Sequence, residues 1–334
     1  LDRDNLTVMT DTQVNKILID GSHAKGVECI GSDNNSFTLN ASKEVILSSG
    51  AFGSPQILLR SGVGPAQEIT RHGIDHLVDL PGVGKNLQDH IDYITVHKYN
   101  SMKLIGFSLK NIFFKYPYEI LKYLFTKTGL FTSTIAEAGA FVKTNEDLEI
   151  PNIQFHYAPA MIVDHGRTLL WGTGMSCHSC LLRPKSLGEV TLASADPFAD
   201  PLIDPKFLSH PDDVKDMVDG YKIMMKVLGS EPFSKYISEH SQRPIDINDD
   251  ADIEQAMREG ADTVYHPVGT CKMGNDEMSV VDTRLKVHKV KGLRVVDASI
   301  MPTIVGGNTN APTIMIGEKA SDMILRDWNI HQSA

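Results

Sequence analysis

The stretch KEVILSSGAFGSPQILLRSG (residues 43–62) decides the fold. EVIL is a continuous apolar run, the pattern of a strand buried on both faces. It ends in Ser48, Ser49, Gly50 and Ala51, all small. Helix signals follow at once: Ser54 as N-cap, Pro55 at the first helical position, and QILLR stopping at Gly62. Buried strand, small-residue turn, helix is the unit with which α/β folds bring backbone close to a ligand. The end of the chain repeats it. GLRVVDASIMP (292–302) reads as a buried strand with Asp297 at its carboxyl end. GGNTNAPTIMIGEKASDMIL (306–325) is a Gly-rich turn entering a helix, with Asn310 at or beside the N-cap and Pro312 in the first turn.

Between these ends the patterning differs. NLTVMT, VNKILI and KGVECI in the first thirty residues read as strands separated by polar turns. DLPGVGKNLQDH (79–90) is punctuated by Gly and Pro and reads as an ordered loop. Residues 107–128 are aromatic, lysine-rich and helical, with Phe, Tyr and Leu on one side. Residues 134–207 are strand-like, and 211–259 hold two amphipathic helices, the first stopping near Gly229. The expected organisation is one domain built from both chain ends and a second inserted between them, with boundaries at 1–95, 96–280 and 281–334.

Of the 334 residues 41% are hydrophobic and 22% charged, an ordinary globular composition. A net charge of −10 argues against a nucleic-acid surface. The 4 cysteines are too few and scattered for a disulfide scaffold, so a reducing, cytoplasmic setting is expected. No apolar run approaches the ~20 residues a membrane span needs. The chain opens on LDRDNLTVMT rather than Met, an opening expected inside a longer protein.

The hydrolase signals G-x-S-x-G and H-E-x-x-H are absent, and PGVGKN lacks the third glycine and the Ser/Thr of a P-loop. Cys177-His178-Ser179-Cys180 suggests zinc, but in a strand Cys177 and Cys180 point to opposite faces, so no metal is expected. DTVYHPVGTCKMG (262–274) is more informative. Pro267 pushes His266 out of the helical region, and Gly269 and Gly274 allow tight turns. His266 therefore sits at a bend, either as a hydrogen-bonded loop histidine or as a reactive one.

Four of these segments together resemble the glucose–methanol–choline (GMC) flavoprotein oxidoreductases: SGAFGSPQILLRSGVGP, LPGVGKNLQDH, YHPVGTCKMG, and GLRVVDASIMP followed by GNTNAPTIMIGEKASDMI. The resemblance covers essentially the whole chain. It is nearest to choline dehydrogenase-like alcohol dehydrogenases, and DHGRTLLWGTGMSCHSCLLRPKS (164–186) resembles the branch acting on aliphatic or polyether alcohols. It implies an α/β plus α+β fold: a partial Rossmann-like FAD-binding domain with an inserted substrate domain built on an antiparallel sheet flanked by helices. The family's opening strand–G-x-G-x-x-G–helix unit is not in this sequence, so the resemblance makes the chain the carboxyl-terminal portion of a longer enzyme.

The family pattern implies oxidation of a primary alcohol to an aldehyde by hydride transfer to flavin N5. His266 matches the proton acceptor, and Asn310 the residue that hydrogen-bonds the substrate oxygen. Val14, Asp297, Ala298, Ala311 and Pro312 match positions along FAD. The positive helix end at Asn310 would face the flavin region that gains negative charge on reduction. Glu137 matches a carboxylate that holds a substrate trimethylammonium, with Tyr265 as an aromatic wall. From its residue type alone, Glu137 is equally a paired structural carboxylate. Val14 is equally a core valine. Cys271 is assigned no role. The implied acceptor is a quinone or similar molecule, with oxygen as the alternative. Choline is the alternative substrate, and an inactive, cofactor-free module the alternative class. Peripheral association with the inner face of a membrane and homo-oligomerisation stay open as options.

Overall fold

A computed structural model describes residues 3–99, 105–168, 170–234, 239–240 and 245–330. Leaving aside the shortest segments, the strands and helices in chain order are β1 (Gln13–Asp20), β2 (His23–Ile30), β3 (Ser36–Asn40), β4 (Val45–Leu47), α1 (Gly50–Arg60) and β5 (Lys85–Leu87). Then come β6 (Ile91–Lys98), a π-helical turn (Asn111–Lys115) continuing into α2 (Tyr116–Thr126), β7 (Ala138–Val142), β8 (Ile153–Ala158) and β9 (Gly172–Leu181). The remainder is β10 (Gly188–Thr191), β11 (Leu202–Asp204), α3 (Pro211–Leu228), α4 (Asp250–Gly260), β12 (Leu293–Val295) and α5 (Asn310–Asp327). The fold is the mixed α/β class expected. NLTVMT, read as a strand, forms none.

The chain folds into two compact units. Unit one comprises residues 1–89, 186–207 and 266–334; unit two comprises 90–185 and 208–265. The division differs from that drawn from sequence, because the segment from His266 and the strands near 190 and 203 join the chain ends. The reason is hydrogen bonding over long sequence separations, which periodicity does not register.

In unit one β4 and β12 pair in parallel, Val45 opposite Leu293 and Leu47 opposite Val295. β1, β2 and β3 form an antiparallel meander. Leu58, Leu59, Val63, Ile69, Val268, Val281 and Val295 are fully buried in one apolar cluster. Helix α1 begins at Gly50, preceded by Ser49, rather than at the Ser54-Pro55 start its sequence suggested. Ser54 and Pro55 lie inside the helix, where their chemistry serves neighbouring loops.

The far end of α5 is anchored by a buried cation. Arg294, on β12 and 1% exposed, gives Nε to Glu44 (2.8 Å), Nη2 to Asp327 (2.6 Å) and Nη1 to the Arg284 carbonyl (2.8 Å). Lys286 and Arg284 also reach Asp327.

In unit two the sheet order is β7-β8-β9-β6, all antiparallel. One face packs under α3, whose Met217, Val218, Tyr221, Met224 and Leu228 are buried. Tyr93 meets Tyr221 edge to face at 5.9 Å, a favoured aromatic geometry. Among the described residues no helix is long and apolar enough to cross a membrane.

Asp327 is held well below the usual carboxylate range, chiefly by its hydrogen bonds from Lys286 and Arg294. A carboxylate lowered on folding stabilises the fold above its unfolded pKa of about 4, and that contribution is lost as pH falls from there toward the folded value. Asp327→Asn is therefore expected to lower the melting temperature at about pH 7 and to flatten its decline between about pH 4 and pH 2. Thermal melts across that range check both effects.

Candidate active site

The first component is the start of α1. An α-helix bonds the N–H of each residue to the carbonyl four residues earlier, and proline has no N–H. Pro55 thus leaves the Ala51 carbonyl without a helical donor. The Thr270 hydroxyl fills the vacancy at 2.6 Å, and Thr270 is fully buried. Ser54 accepts from the Ser49 N–H (3.0 Å) and donates to Asp297 Oδ2 (2.5 Å). The same oxygen accepts from the Gly50 N–H (3.0 Å), while Oδ1 accepts from the Ser299 N–H (2.8 Å). Asp297 is therefore occupied by protein donors and ties the turn after β4 to the end of β12.

The second component is the loop 266–274, fastened on several sides. Val268 exchanges backbone hydrogen bonds with Gln88 (2.9 and 3.1 Å). Gly269, Cys271 and Met273 donate in turn to the carbonyls of Ala298 (3.3 Å), Ser299 (2.8 Å) and Ile300 (2.8 Å). Gly84 N–H donates to Thr270 O (2.9 Å). Gly269 has φ +93°, and a Cβ there would lie 2.5 Å from the Asn86 carbonyl oxygen, so only glycine suits the position. The four segments singled out in the sequence are thus hydrogen-bonded into one assembly.

His266 emerges from this assembly. Its N–H donates to Asp89 Oδ1 at 2.9 Å, and both residues are buried. Its Nε2 lies 3.3 Å from Asn308 Nδ2. With the amide nitrogen donating, Nε2 is the acceptor and carries the ring's lone pair. The side chain within hydrogen-bond distance of His266 Nε2 is Asn308, two residues before Asn310. Asn310 is the first residue of α5 and is exposed, as is Ala311, while Pro312 is half-buried. The first N–H groups of such a helix have no acceptor within it.

Val14 is half-buried against the core and lines a cavity of about 460 Å³ together with Ser49, Gly53, Gln56, Arg60 and Phe198. Ala298 is half-buried beside the His266 loop through its carbonyl. Burial pushes the Cys271 thiol up and raises that of Cys177 to about 12, so neither is a thiolate near neutrality.

In unit two Glu137 is exposed and accepts from the Ser133 hydroxyl at 2.5 Å. Among the described residues it has no basic partner. Tyr265 is exposed, with φ +66°, an unusual conformation for a residue with a side chain. The sheet also carries an unforeseen pair, His178 Nδ1 and buried Asp92 Oδ2 at 2.6 Å. Ring T-stacking places His156 beside His178 at 6.1 Å, and burial lowers the pKa of His156.

Sequence reasoning missed Asp89, Thr270 and Asn308. The first two lay in segments already quoted, but their partners are distant in sequence. Asn308 had only a turn signal, and the family resemblance put the role on Asn310.

Comparison with known proteins assigns the class. Family profiles described as GMC oxidoreductase match residues 1–92 and 184–317. The chain belongs to the GMC oxidoreductase family. It is 44% identical over 330 residues to an alcohol dehydrogenase [acceptor] of Pseudomonas putida, covering 98% of this chain and 59% of that protein. It is 40% identical over 323 residues to the oxygen-dependent choline dehydrogenase of Escherichia coli K12, covering 96% of this chain and 58% of that protein. A crystal structure of formate oxidase superposes with a TM-score of 0.91 at 27% identity, over 99% of this chain and 63% of that one. The chain thus spans less than two thirds of the length of each of these relatives.

Thr270→Val removes the side-chain hydrogen bond to the Ala51 carbonyl. It is expected to cost ~1–3 kcal/mol of unfolding free energy, the typical range for an orphaned buried acceptor. Denaturant unfolding of the variant beside the parent checks this.

Proposed function

We propose that this chain carries the proton-transfer half of an FAD-dependent oxidation of a primary alcohol to an aldehyde. The observation that carries the reading is His266 Nε2 facing Asn308 at 3.3 Å, on a loop fixed through Asp89 and Thr270. In the reaction the alcohol O–H and one C–H bond break and the C=O bond forms. The hydroxyl proton passes to His266 Nε2, the O–H electrons form the second C–O bond, and the carbinol hydrogen departs with the C–H electron pair as hydride. FAD, when bound, supplies the hydride acceptor. Asn308 orients the imidazole and donates to the substrate oxygen.

The fit of FAD to these residues rests on two features. Gly50, at φ +76°, has open space where a Cβ would stand, so a ligand can approach its backbone. Val14 and the turn at Ser49–Gly53 share the cavity of about 460 Å³. These residues, Ala298 and the start of α5 at Asn310, Ala311 and Pro312 would hold the cofactor. Asp297 would act indirectly, by setting the Gly50 turn. The two electrons would leave to a quinone or similar acceptor.

A second substrate reading is choline. It is favoured by the exposed Glu137 carboxylate, which has no basic partner among the described residues and is free to face a quaternary ammonium.

The test uses the intact protein with a soluble dye acceptor and a panel of alcohols including choline. His266→Ala is expected to lower kcat/KM by ~10²–10⁴, the usual contribution of a general base. A loss under about tenfold would overturn the assignment. Asn308→Ala should cost more activity than Asn310→Ala; the reverse order would return the role to Asn310. If Glu137→Gln raises KM for choline while leaving neutral alcohols unchanged, choline is the substrate. An intact protein without flavin colour would remove the cofactor reading.

A further inference from the structure

The helical segment from Asn111 to Thr126 is inverted relative to a helix that packs into a core. Its buried and half-buried positions are Asn111, Lys115, Glu119 and Lys122, spaced four, four and three residues apart, with Tyr116 beside them, and Asn111, Tyr116 and Glu119 supply the hydrogen bonds. These polar groups fasten it to unit two. Asn111 Nδ2 donates to the Gly106 carbonyl (3.1 Å), the Tyr116 hydroxyl donates to the same oxygen (2.7 Å), and Glu119 Oε2 accepts from the Leu130 N–H (2.8 Å). None of the α2 residues is buried.

The large apolar side chains point the other way. Phe125 is 85% exposed, Phe114 71% and Phe113 67%, with Tyr118, Leu121 and Leu124 exposed beside them. Just before the helix, exposed Phe107 is bridged through its backbone to exposed Trp171. A water-soluble surface rarely leaves so many large apolar groups contiguous. The charge is equally distinctive. Residues 110–127 hold four lysines, at 110, 115, 122 and 127, and one glutamate, within a chain of net charge −10. Lys127 lies over the Tyr123 ring, 5.1 Å from its centre.

We propose that this helix is a membrane-docking element that lies in the plane of an anionic lipid surface. Phe113, Phe114, Leu121, Leu124 and Phe125 enter the acyl boundary, Tyr118 and Trp171 sit at headgroup level, and the exposed Lys110 and Lys127, one at each end of the helical segment, meet lipid phosphates. The charge complementarity selects this occupant: on a chain of net charge −10 the apolar arc flanked by exposed Lys110 and Lys127 is the stretch whose local charge suits an anionic bilayer. A second copy of the chain would set the same lysines against each other.

The experiment is flotation of the intact protein with vesicles of phosphatidylethanolamine and phosphatidylglycerol, beside vesicles of phosphatidylcholine alone. Binding is expected to the first, weaker to the second, and reduced by salt. The double variant Phe113→Ser, Phe125→Ser is expected to partition at least about tenfold less. Its melting temperature and dye-coupled alcohol oxidation should not change, because neither side chain is buried. Absence of vesicle binding, or equal binding by the variant, overturns the proposal. So does a parent that sediments as a dimer, binds no vesicles and becomes monomeric in the double variant, which assigns the face to a second copy. A Phe125→Cys variant of the intact protein that a soluble maleimide cannot label also overturns it, since the face would then be covered by the protein itself.

Discussion

One missing N–H organises unit one. Pro55 sits in the second turn of α1 and leaves the Ala51 carbonyl open, and a buried acceptor left open is costly. The Thr270 hydroxyl closes it and in doing so pins the loop that carries His266. Ser54, one residue earlier, contributes to Asp297 in the same way and fixes the turn after β12. The dipeptide Ser-Pro therefore acts as two connectors to loops more than two hundred residues away.

Much of this was legible and some was not, for identifiable reasons. The two strands at the chain ends were legible as continuous apolar runs, but their parallel pairing was not, and β4 is covered on one face only: Leu47 is buried while Ile46 is 45% exposed. Ser54-Pro55 was read as a helix start because that is their commonest local meaning, yet Gly50 begins the helix and the pair's partners lie elsewhere in the chain. The same limit applies to the placement of loop 266–274 in unit one and to Asn308. Each depends on hydrogen bonds between distant residues, and local patterning reports only near neighbours. The aromatic stripe of residues 107–128 was evident, but its outward orientation is a property of what the rest of unit two leaves uncovered.

Unit two separates its tasks by sheet face. Side chains alternate along β6 and β9, so Tyr93 and Thr95 turn toward α3 while Asp92 and His178 turn away from it. The apolar face supplies cohesion with α3. The opposite face holds a carboxylate–imidazole pair whose Asp92 is buried, so the hydrogen bond between His178 and Asp92 supplies the partner that a covered carboxylate needs.

The Arg294 cluster carries a further implication. It grips the carboxyl end of α5, 18 residues from the end that opens beside Asn308 and His266. A straight helix of that length is a rod of about 27 Å. Ile316 and Ala320 are buried in the core along its length, so the clamp at Glu44 and Asp327 and the start of the helix at Asn310 are two ends of one element held at its middle as well as at its tail.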